Sequence, residues 1–177
     1  MRKLKLQELG RHTVESFSKV SKQPIIIVLD DIRSALNVGS VFRTADAMAI
    51  EQILLCGITP QPPSRDITKT AIGATESVKW AYEKEIRAAI KRLKSEGYAI
   101  ISIEQTSESV ELLEFKDLPE KLAIIMGNEV NGVCEDALKL TDKAIEIAQF
   151  GTKHSLNVSV CAGIVMHHFS TLYRRKN

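Results

Sequence analysis

The feature that most constrains this chain is a run of five consecutive aliphatic residues, Ile25-Ile26-Ile27-Val28-Leu29, preceded by Pro24 and closed by Asp30 and Asp31. Successive side chains of a strand point to opposite faces. A run that is apolar on both faces needs cover on both, which is the mark of an inner strand in a parallel sheet. Shorter apolar runs follow at residues 53–56, 98–103, 122–126 and 144–148, the middle two joined through an apolar-acidic stretch at 110–115. Between them the spacing turns helical. Residues 37–48 put Val41, Ala45 and Met48 on one face, and residues 83–95 put Ile86, Ala89, Ile90 and Leu93 on one face before Gly97 stops the helix. A short helix is expected at 134–140. This alternation predicts an α/β fold, a mostly parallel sheet with helices on both faces. In such sheets ligands bind beyond the carboxyl ends of the strands.

The flanks add three expectations. Residues 6–20 place Leu6, Leu9, Val14 and Phe17 near helical spacing, so residues 1–22 read as a basic helical extension ahead of a domain at 23–177. Residues 57–80 hold three prolines and two glycines, and read as a loop too long for an ordinary connection. A final helix from about Ser155 to Arg174 carries two apolar stripes, one through Val158, Cys161, Ala162, Val165, Phe169 and Leu172, the other through Val160, Ile164 and His168. One sheet covers one stripe. The second is covered either by the N-terminal helix or by a second copy of the chain.

Composition narrows the function classes. With 177 residues, 44% hydrophobic and 26% charged, the chain has the make-up of one folded domain rather than a disordered segment. No apolar run approaches the roughly 18 residues of a membrane helix, and residues 1–10 lack the apolar stretch of a secretory signal. Cys56, Cys134 and Cys161 form no CxxC pair, which fits reduced thiols in the cytoplasm. The four histidines include no HExxH, and the adjacent His167 and His168 diverge by about 100° on a helix, so no metal site is expected. The net charge of +2 is uneven: residues 1–22 carry +4 and residues 167–177 carry +3, which leaves −5 for the middle. Positive ends on an acidic body suit phosphate contacts, although solvated basic ends give the same pattern.

The usual nucleotide fingerprints are missing: no GxGxxG follows the first strand and no GxxxxGK[ST] occurs. Nor is there a GxSxG elbow for an acyl-transfer serine. Three other segments stand out. In Asn37-Val-Gly-Ser-Val-Phe-Arg43-Thr-Ala-Asp46, Asn37 reads as a helix cap and Arg43 falls within two turns of it. In Met126-Gly-Asn-Glu129-Val-Asn-Gly132, glycines bracket a polar loop that offers a carboxylate and close backbone approach to a ligand. In Ile147-Ala-Gln-Phe-Gly151-Thr-Lys-His-Ser155-Leu-Asn157, Ser155 reads as a cap and Asn157 as a first-turn amide free to orient a substrate. Taken alone, the first segment is more often a cap with a surface arginine, the second more often a bare turn, and the third is unremarkable as a cap.

Taken in order, the three segments resemble the motifs of the SpoU, or TrmH-like, branch of the SPOUT RNA 2′-O-ribose methyltransferases. The first resembles Asn37-x-Gly39-x3-Arg43-Thr44, the second Gly127-x-Glu129-x2-Gly132, and the third Ser155-Leu-Asn157-Val-Ser159, while residues 69–80 look like the family's KTALGA segment. The resemblance covers roughly residues 24–172. It implies a C-terminal trefoil knot, a homodimer, and an S-adenosylmethionine site at Glu104, Gln105, Gly127, Ile147 and Leu156. It also implies a catalytic set of Asn37, Arg43, Glu129, Ser155 and Asn157, acting on tRNA or rRNA without a metal. One departure is that the usual Ile-Pro-Met of the third motif is Ile147-Ala148-Gln149 here, which removes the proline that stiffens that turn. Without the large N-terminal RNA-binding extension of some members, the grip on RNA is expected from the short basic ends and the dimer.

The chemistry suits these residue types. A ribose hydroxyl is a poor nucleophile until deprotonated, whereas a sulfonium methyl is already activated, so the protein must position the hydroxyl and stabilise the developing alkoxide. Arginine keeps its proton under ordinary conditions, which favours an electrostatic role for Arg43 plus a grip on the neighbouring phosphate over proton acceptance. Asn37, Ser155 and Asn157 are expected to orient Arg43 and the ribose, and Glu129 to hold the arginine or the cofactor-side loop. A non-catalytic RNA-binding or assembly protein on the same fold is the rival reading. A flavodoxin-like nucleotide binder is disfavoured by the missing phosphate loop.

Overall fold

The aliphatic run lies in β1 (Gln23–Asp30), an inner strand, third from one edge of a seven-stranded sheet. The computed structural model describes residues 1–176, with the side chain of Leu6 outside the described residues. β2 (Ile50–Cys56), β3 (Lys79–Glu83), β4 (Ala99–Ile103), β5 (Val110–Glu111), β6 (Leu122–Met126) and β7 (Lys143–Glu146) complete the order β3-β2-β1-β6-β4-β7-β5. Every pairing is parallel. The helices are α1 (Val14–Ser18), α2 (Ala35–Met48), α3 (Arg65–Ala71), α4 (Ala74–Ser77), α5 (Ile86–Ser95), α6 (Glu135–Leu138) and α7 (Val158–Lys176).

The period of two in β1 divides the core. Ile25, Ile27 and Leu29 pack on one face with Phe42 of α2 and Val165 and Phe169 of α7. Ile26 and Val28 pack on the other with Ala89, Ile90 and Leu93 of α5 and Ala137 of α6. Ile25, Ile27, Val28 and Leu29 are fully shielded from water, and truncation of Ile25, Ile27 or Leu29 to alanine should cost about 2–5 kcal/mol. The loops that leave the carboxyl ends of β1, β4, β6 and β7 lie on one edge of the sheet, because all strands run the same way.

Several expectations are corrected. The N-terminal helix is not continuous: a 3-10 turn (Leu6–Leu9) ends at Gly10 with φ 57, and α1 buries no residue. The second stripe of α7 therefore stays open, with Val160 54% and Ile164 40% exposed. Residues 57–80 are not a plain loop. They hold α3, which buries Ile67 and Ala71, and α4, and they run into the edge strand β3, where Trp80 packs on the core. The last helix begins at Val158 rather than Ser155, and the strand before it spans Lys143–Glu146 rather than 144–148.

Candidate functional site

A cavity of about 650 Å³ opens beyond the carboxyl ends of β4, β6 and β7, a volume typical of small-molecule sites. All five residues expected to hold a cofactor line it: Glu104 and Gln105 after β4, Gly127 after β6, Ile147 after β7, and Leu156 ahead of α7. Glu129 and Ser155 line it as well. Its charged groups are all of one sign. Glu104, Glu129, Glu135 and Glu146 contribute carboxylates, and none of the lining residues is lysine or arginine. A concave site of this sign concentrates cations and repels phosphates.

The loop after β6 is built to hold its shape. Asn128 and Gly132 exchange two backbone hydrogen bonds of 2.9 Å. The Asn128 side-chain oxygen accepts from the N–H groups of Val130 (2.9 Å) and Asn131 (3.1 Å), and its amide donates to the Asp31 carbonyl at 2.6 Å. A Cβ on Gly127 would strike the backbone of Gly132 and Val133, and Gly132 sits at φ 68 against the Glu104 carboxylate. These glycines thus let the loop close on itself while both still line the cavity. Glu104 accepts from the N–H groups of Gln105 and Val133, both at 2.9 Å, and so fastens the loop while its charge faces the cavity. Buried Asp30, its carboxyl pushed up by burial, accepts from Cys134 N–H at 3.1 Å on the other side. The Gln105 amide reaches across to the His154 carbonyl at 3.0 Å and ties down the segment before α7.

Three of the five expected catalytic residues join at the edge of this cavity. The Asn157 amide donates to the Asn37 side-chain oxygen at 3.2 Å, and the Asn37 amide donates to Glu129 at 2.9 Å. Glu129 also accepts from the N–H groups of Arg33 (2.9 Å) and Ser34 (3.1 Å). Desolvation would push the Glu129 carboxyl up, but the hydrogen bonds from Arg33, Asn37 and Ser34 outweigh it and hold the group below the usual range. In one chain Glu129 therefore holds the start of α2, not the arginine. Two capping assignments are also corrected. Ser34 caps α2 by accepting from Asn37 N–H at 3.3 Å, which frees the Asn37 side chain for Glu129. Asn157, not Ser155, caps α7: its oxygen accepts from the N–H groups of Ser159 (2.9 Å) and Val160 (3.3 Å). Ser155 is exposed in the loop before it, on the cavity wall.

Arg43 stands apart. It is exposed on α2 and lines a second cavity, of about 510 Å³, with Arg11, His12 and Arg174. Sequence reasoning missed Glu135 and Glu146 as wall carboxylates and Asn128 as the keystone of its loop. Only Asn128 carried a signal, in its place between Gly127 and Glu129.

A model described as the SpoU rRNA Methylase family matches residues 24–167. The chain belongs to the SpoU rRNA methylase family. Among curated relatives, the 23S rRNA (guanosine-2′-O-)-methyltransferase RlmB of Neisseria meningitidis is 32% identical over 155 residues, 88% of this chain and 61% of that protein. The tRNA (guanosine(18)-2′-O)-methyltransferase of Escherichia coli K12 is 28% identical over 82% of this chain and 63% of its own length. The chain thus spans about three-fifths of either relative. The fold agrees with solved SpoU structures. The TrmH/SpoU tRNA modifying enzyme of A. aeolicus superposes with TM-score 0.81 at 22% identity, over 92% of this chain and 83% of that one. The SpoU methyltransferase AviRb of Streptomyces viridochromogenes, solved in complex with AdoMet, gives 0.80 at 17% identity, over 89% of this chain and 63% of that one. Among the described residues no helix is long and apolar enough to cross a membrane.

Proposed function

We propose that this SpoU chain is an S-adenosylmethionine-dependent RNA methyltransferase that methylates a ribose 2′-hydroxyl in tRNA or rRNA, acting as a cytoplasmic homodimer. The observation that carries the reading is the acidic cavity with Asn37, Glu129 and Asn157 joined at its edge. The donor set fits the cofactor: four carboxylates and no lysine or arginine suit a ligand that bears a sulfonium and an ammonium, and oppose a nucleoside triphosphate. The relatives named above act on ribose 2′-oxygens of tRNA and rRNA, and the Streptomyces enzyme was solved with AdoMet.

S-adenosylmethionine, when bound, supplies an activated methyl group. The chain's own residues do the rest. Glu104, Gln105, Gly127, Ile147 and Leu156 form the cofactor walls. Asn37 and Asn157 orient the ribose, and Glu129 keeps Asn37 in its rotamer. Ser155 contributes a hydroxyl from the exposed wall. Arg43 stabilises the alkoxide as the hydroxyl proton leaves to solvent, and grips the adjacent phosphate.

The homodimer is supported by the open stripe of α7, where Val160 and Ile164 stay exposed. Arg43 and the acidic cavity must face one ribose, yet in a single chain they belong to separate cavities, which a second copy seated on α7 would bring together. The trefoil knot belongs to the same reading, supported by the likeness in fold to SpoU structures. The three free cysteines fit a cytoplasmic setting. Calorimetry tests the cofactor: S-adenosylmethionine and its demethylated product should bind, and ATP and NAD should not. Heat with ATP and none with either sulfur compound would overturn the reading. Mapping of 2′-O-methyl positions in total RNA, with and without the gene, identifies the nucleotide.

A further inference from the structure

The short segment that joins β1 to α2 is held from both sides. Its consecutive backbone N–H groups, from Asp31 to Ser34, all donate to distant parts of the chain. Asp31 N–H reaches the Cys56 carbonyl at 3.4 Å, and Ile32 N–H reaches the Thr59 hydroxyl at 3.0 Å, at the end of β2 and in the loop after it. The N–H groups of Arg33 and Ser34 go to the other side, to the Glu129 carboxylate after β6. A connection that only turned the chain could leave these groups to its own turn or to water.

The change of side falls at Asp31. Its φ is 53, a left-handed conformation that residues other than glycine adopt infrequently and that persists where the surroundings over-determine it. Here they do. The Asp31 carboxylate accepts from Ile58 N–H at 2.8 Å, and its carbonyl accepts from the Asn128 amide at 2.6 Å. Gly57 stands opposite at φ 60, where a Cβ would strike that carboxylate. Thr59, 2% exposed, donates its hydroxyl to the Leu29 carbonyl at 3.0 Å while it accepts from Ile32, and so clamps the chain on either side of the turn. Neither Asp31 nor residues 57–59 line the cofactor cavity. Their bonds converge instead on the groups that hold Asn37. Asn128 fixes the loop after β6, and its neighbour Glu129 binds Arg33, Ser34 and the Asn37 amide together. A right-handed Asp31 would turn its carbonyl away from Asn128 and carry the first turn of α2 off Glu129.

We propose, resting on the RNA methyltransferase reading, that Asp31 is a positioning residue for methyl transfer. Its left-handed backbone, fixed by Ile58 N–H and by Thr59, keeps the loop after β6 and the first turn of α2 in one register, and through Glu129 it aims Asn37 at the ribose. Asp31 touches neither ligand. Its contribution falls on the rate of the bound complex, where small misplacements of an orienting group are costly.

The test uses tritiated S-adenosylmethionine and unfractionated RNA from cells that lack the gene. Single-turnover transfer is measured at saturating RNA and cofactor, well below the Tm of each variant, and RNA affinity on the same preparations. Asp31→Ala should slow transfer by about tenfold or more, with RNA affinity within about threefold of wild type. Asp31→Asn tolerates the left-handed backbone and keeps an acceptor for Ile58, so its rate should return to within about threefold of wild type. Asp31→Gly adopts that backbone freely but offers Ile58 no acceptor, so it should fall between the two, and it decides the matter if the alanine protein does not fold. In an Asn37→Ala background, Asp31→Ala should cost little further, because its effect passes through Asn37, whereas a loss of general stability would multiply with the first. Transfer by Asp31→Ala within about twofold of wild type, a wild-type rate in Asp31→Gly, or multiplying losses with Asn37→Ala overturns the proposal. The methyltransferase reading survives each of these as long as the wild type methylates the RNA. A wild type that transfers no methyl group to it would sink both.

Discussion

Glu129→Gln tests the edge of the acidic cavity with the least change of shape. The wild-type carboxylate accepts three hydrogen bonds, from Arg33 N–H, Ser34 N–H and the Asn37 amide. Glutamine offers one acceptor oxygen, so its own NH₂ must face at least one of these donors and that bond is lost. A hydrogen bond to a charged group contributes about 1.5–3 kcal/mol when shielded. Glu129 is exposed enough for water to take the freed N–H, and about 1 kcal/mol is the reasonable loss. In a domain of this size that lowers Tm by about 2–4 °C. The loss of methyl transfer should be much larger, about tenfold or more, because Asn37 loses the anchor that sets its rotamer and Asn157 leans on Asn37. The pH dependence supplies a second signature. The Glu129 carboxyl is held below its usual range, so its stabilisation is complete above the unfolded-state value near 4.3 and disappears as pH falls through the folded value. The Tm gap between wild type and variant should therefore narrow on acidification below about pH 4. Calorimetric melts and single-turnover assays measure both. A variant with the expected Tm loss and methyl transfer within twofold of wild type would refute the positioning role. A Tm gap that stays constant down to pH 3 would refute the electrostatic one.

Arg43→Lys and Arg43→Ala should both lose on the order of a hundredfold or more in single-turnover methyl transfer, since a point charge cannot replace a planar fork that serves both phosphate and alkoxide. Their S-adenosylmethionine affinity should hold, and an Ala variant within a few-fold of wild type would make Arg43 a structural residue. Ile164→Glu places a charge in the open stripe of α7, at a cost of several kcal/mol to a dimer that buries it. Light scattering should then find a monomer where wild type is a dimer, and a monomeric wild type at micromolar concentration would dismiss the interface. Burial, with a lesser contribution from Glu104, pushes the Cys161 thiol up to about 11. Iodoacetamide should therefore alkylate it slowly at pH 8 and more slowly still with S-adenosylmethionine bound, because Cys161 lines the cofactor cavity. Fast alkylation that the cofactor leaves unchanged would contradict that placement.

What the sequence made legible follows from what period and burial can encode. β1 and β6 were readable because strands covered on both faces must be apolar throughout, and the run at residues 122–126 matches β6 end to end. β3 was not, because an edge strand needs cover on one side only. Lys79-Trp80-Ala81-Tyr82-Glu83 puts one half-buried ring among polar neighbours and lies behind three prolines that signal a loop. The caps were misassigned for a different reason. Ser34 and Asn37 are both good capping residues, and only the carboxylate of Glu129, 92 residues on, decides that Asn37 turns outward and Ser34 takes the cap. The same holds at α7, where the Asn37 side-chain oxygen receives the Asn157 amide and leaves the Asn157 oxygen to cap. Local preference lists the candidates, and a contact remote in sequence chooses among them.

Charge shows the same division between what is linear and what is spatial. The surplus of +4 at residues 1–22 and +3 at 167–177 over an acidic middle is plain in the chain, but it does not say where those charges meet. Folding gathers acids from positions 104, 129, 135 and 146 around one cavity, because the loops leaving β4, β6 and β7 share an edge of the sheet. It gathers arginines from positions 11, 43 and 174 around another. α2 serves both: its first turn presents Asn37 to Glu129, and Arg43, six residues on, is rotated by about two-thirds of a turn and displaced by about 9 Å along the axis. That offset places Arg43 on the wall of the second cavity and not among the carboxylates of the first. A net charge of +2 thus hides two strong local fields of opposite sign, one suited to a cationic methyl donor and the other to a polyanionic acceptor.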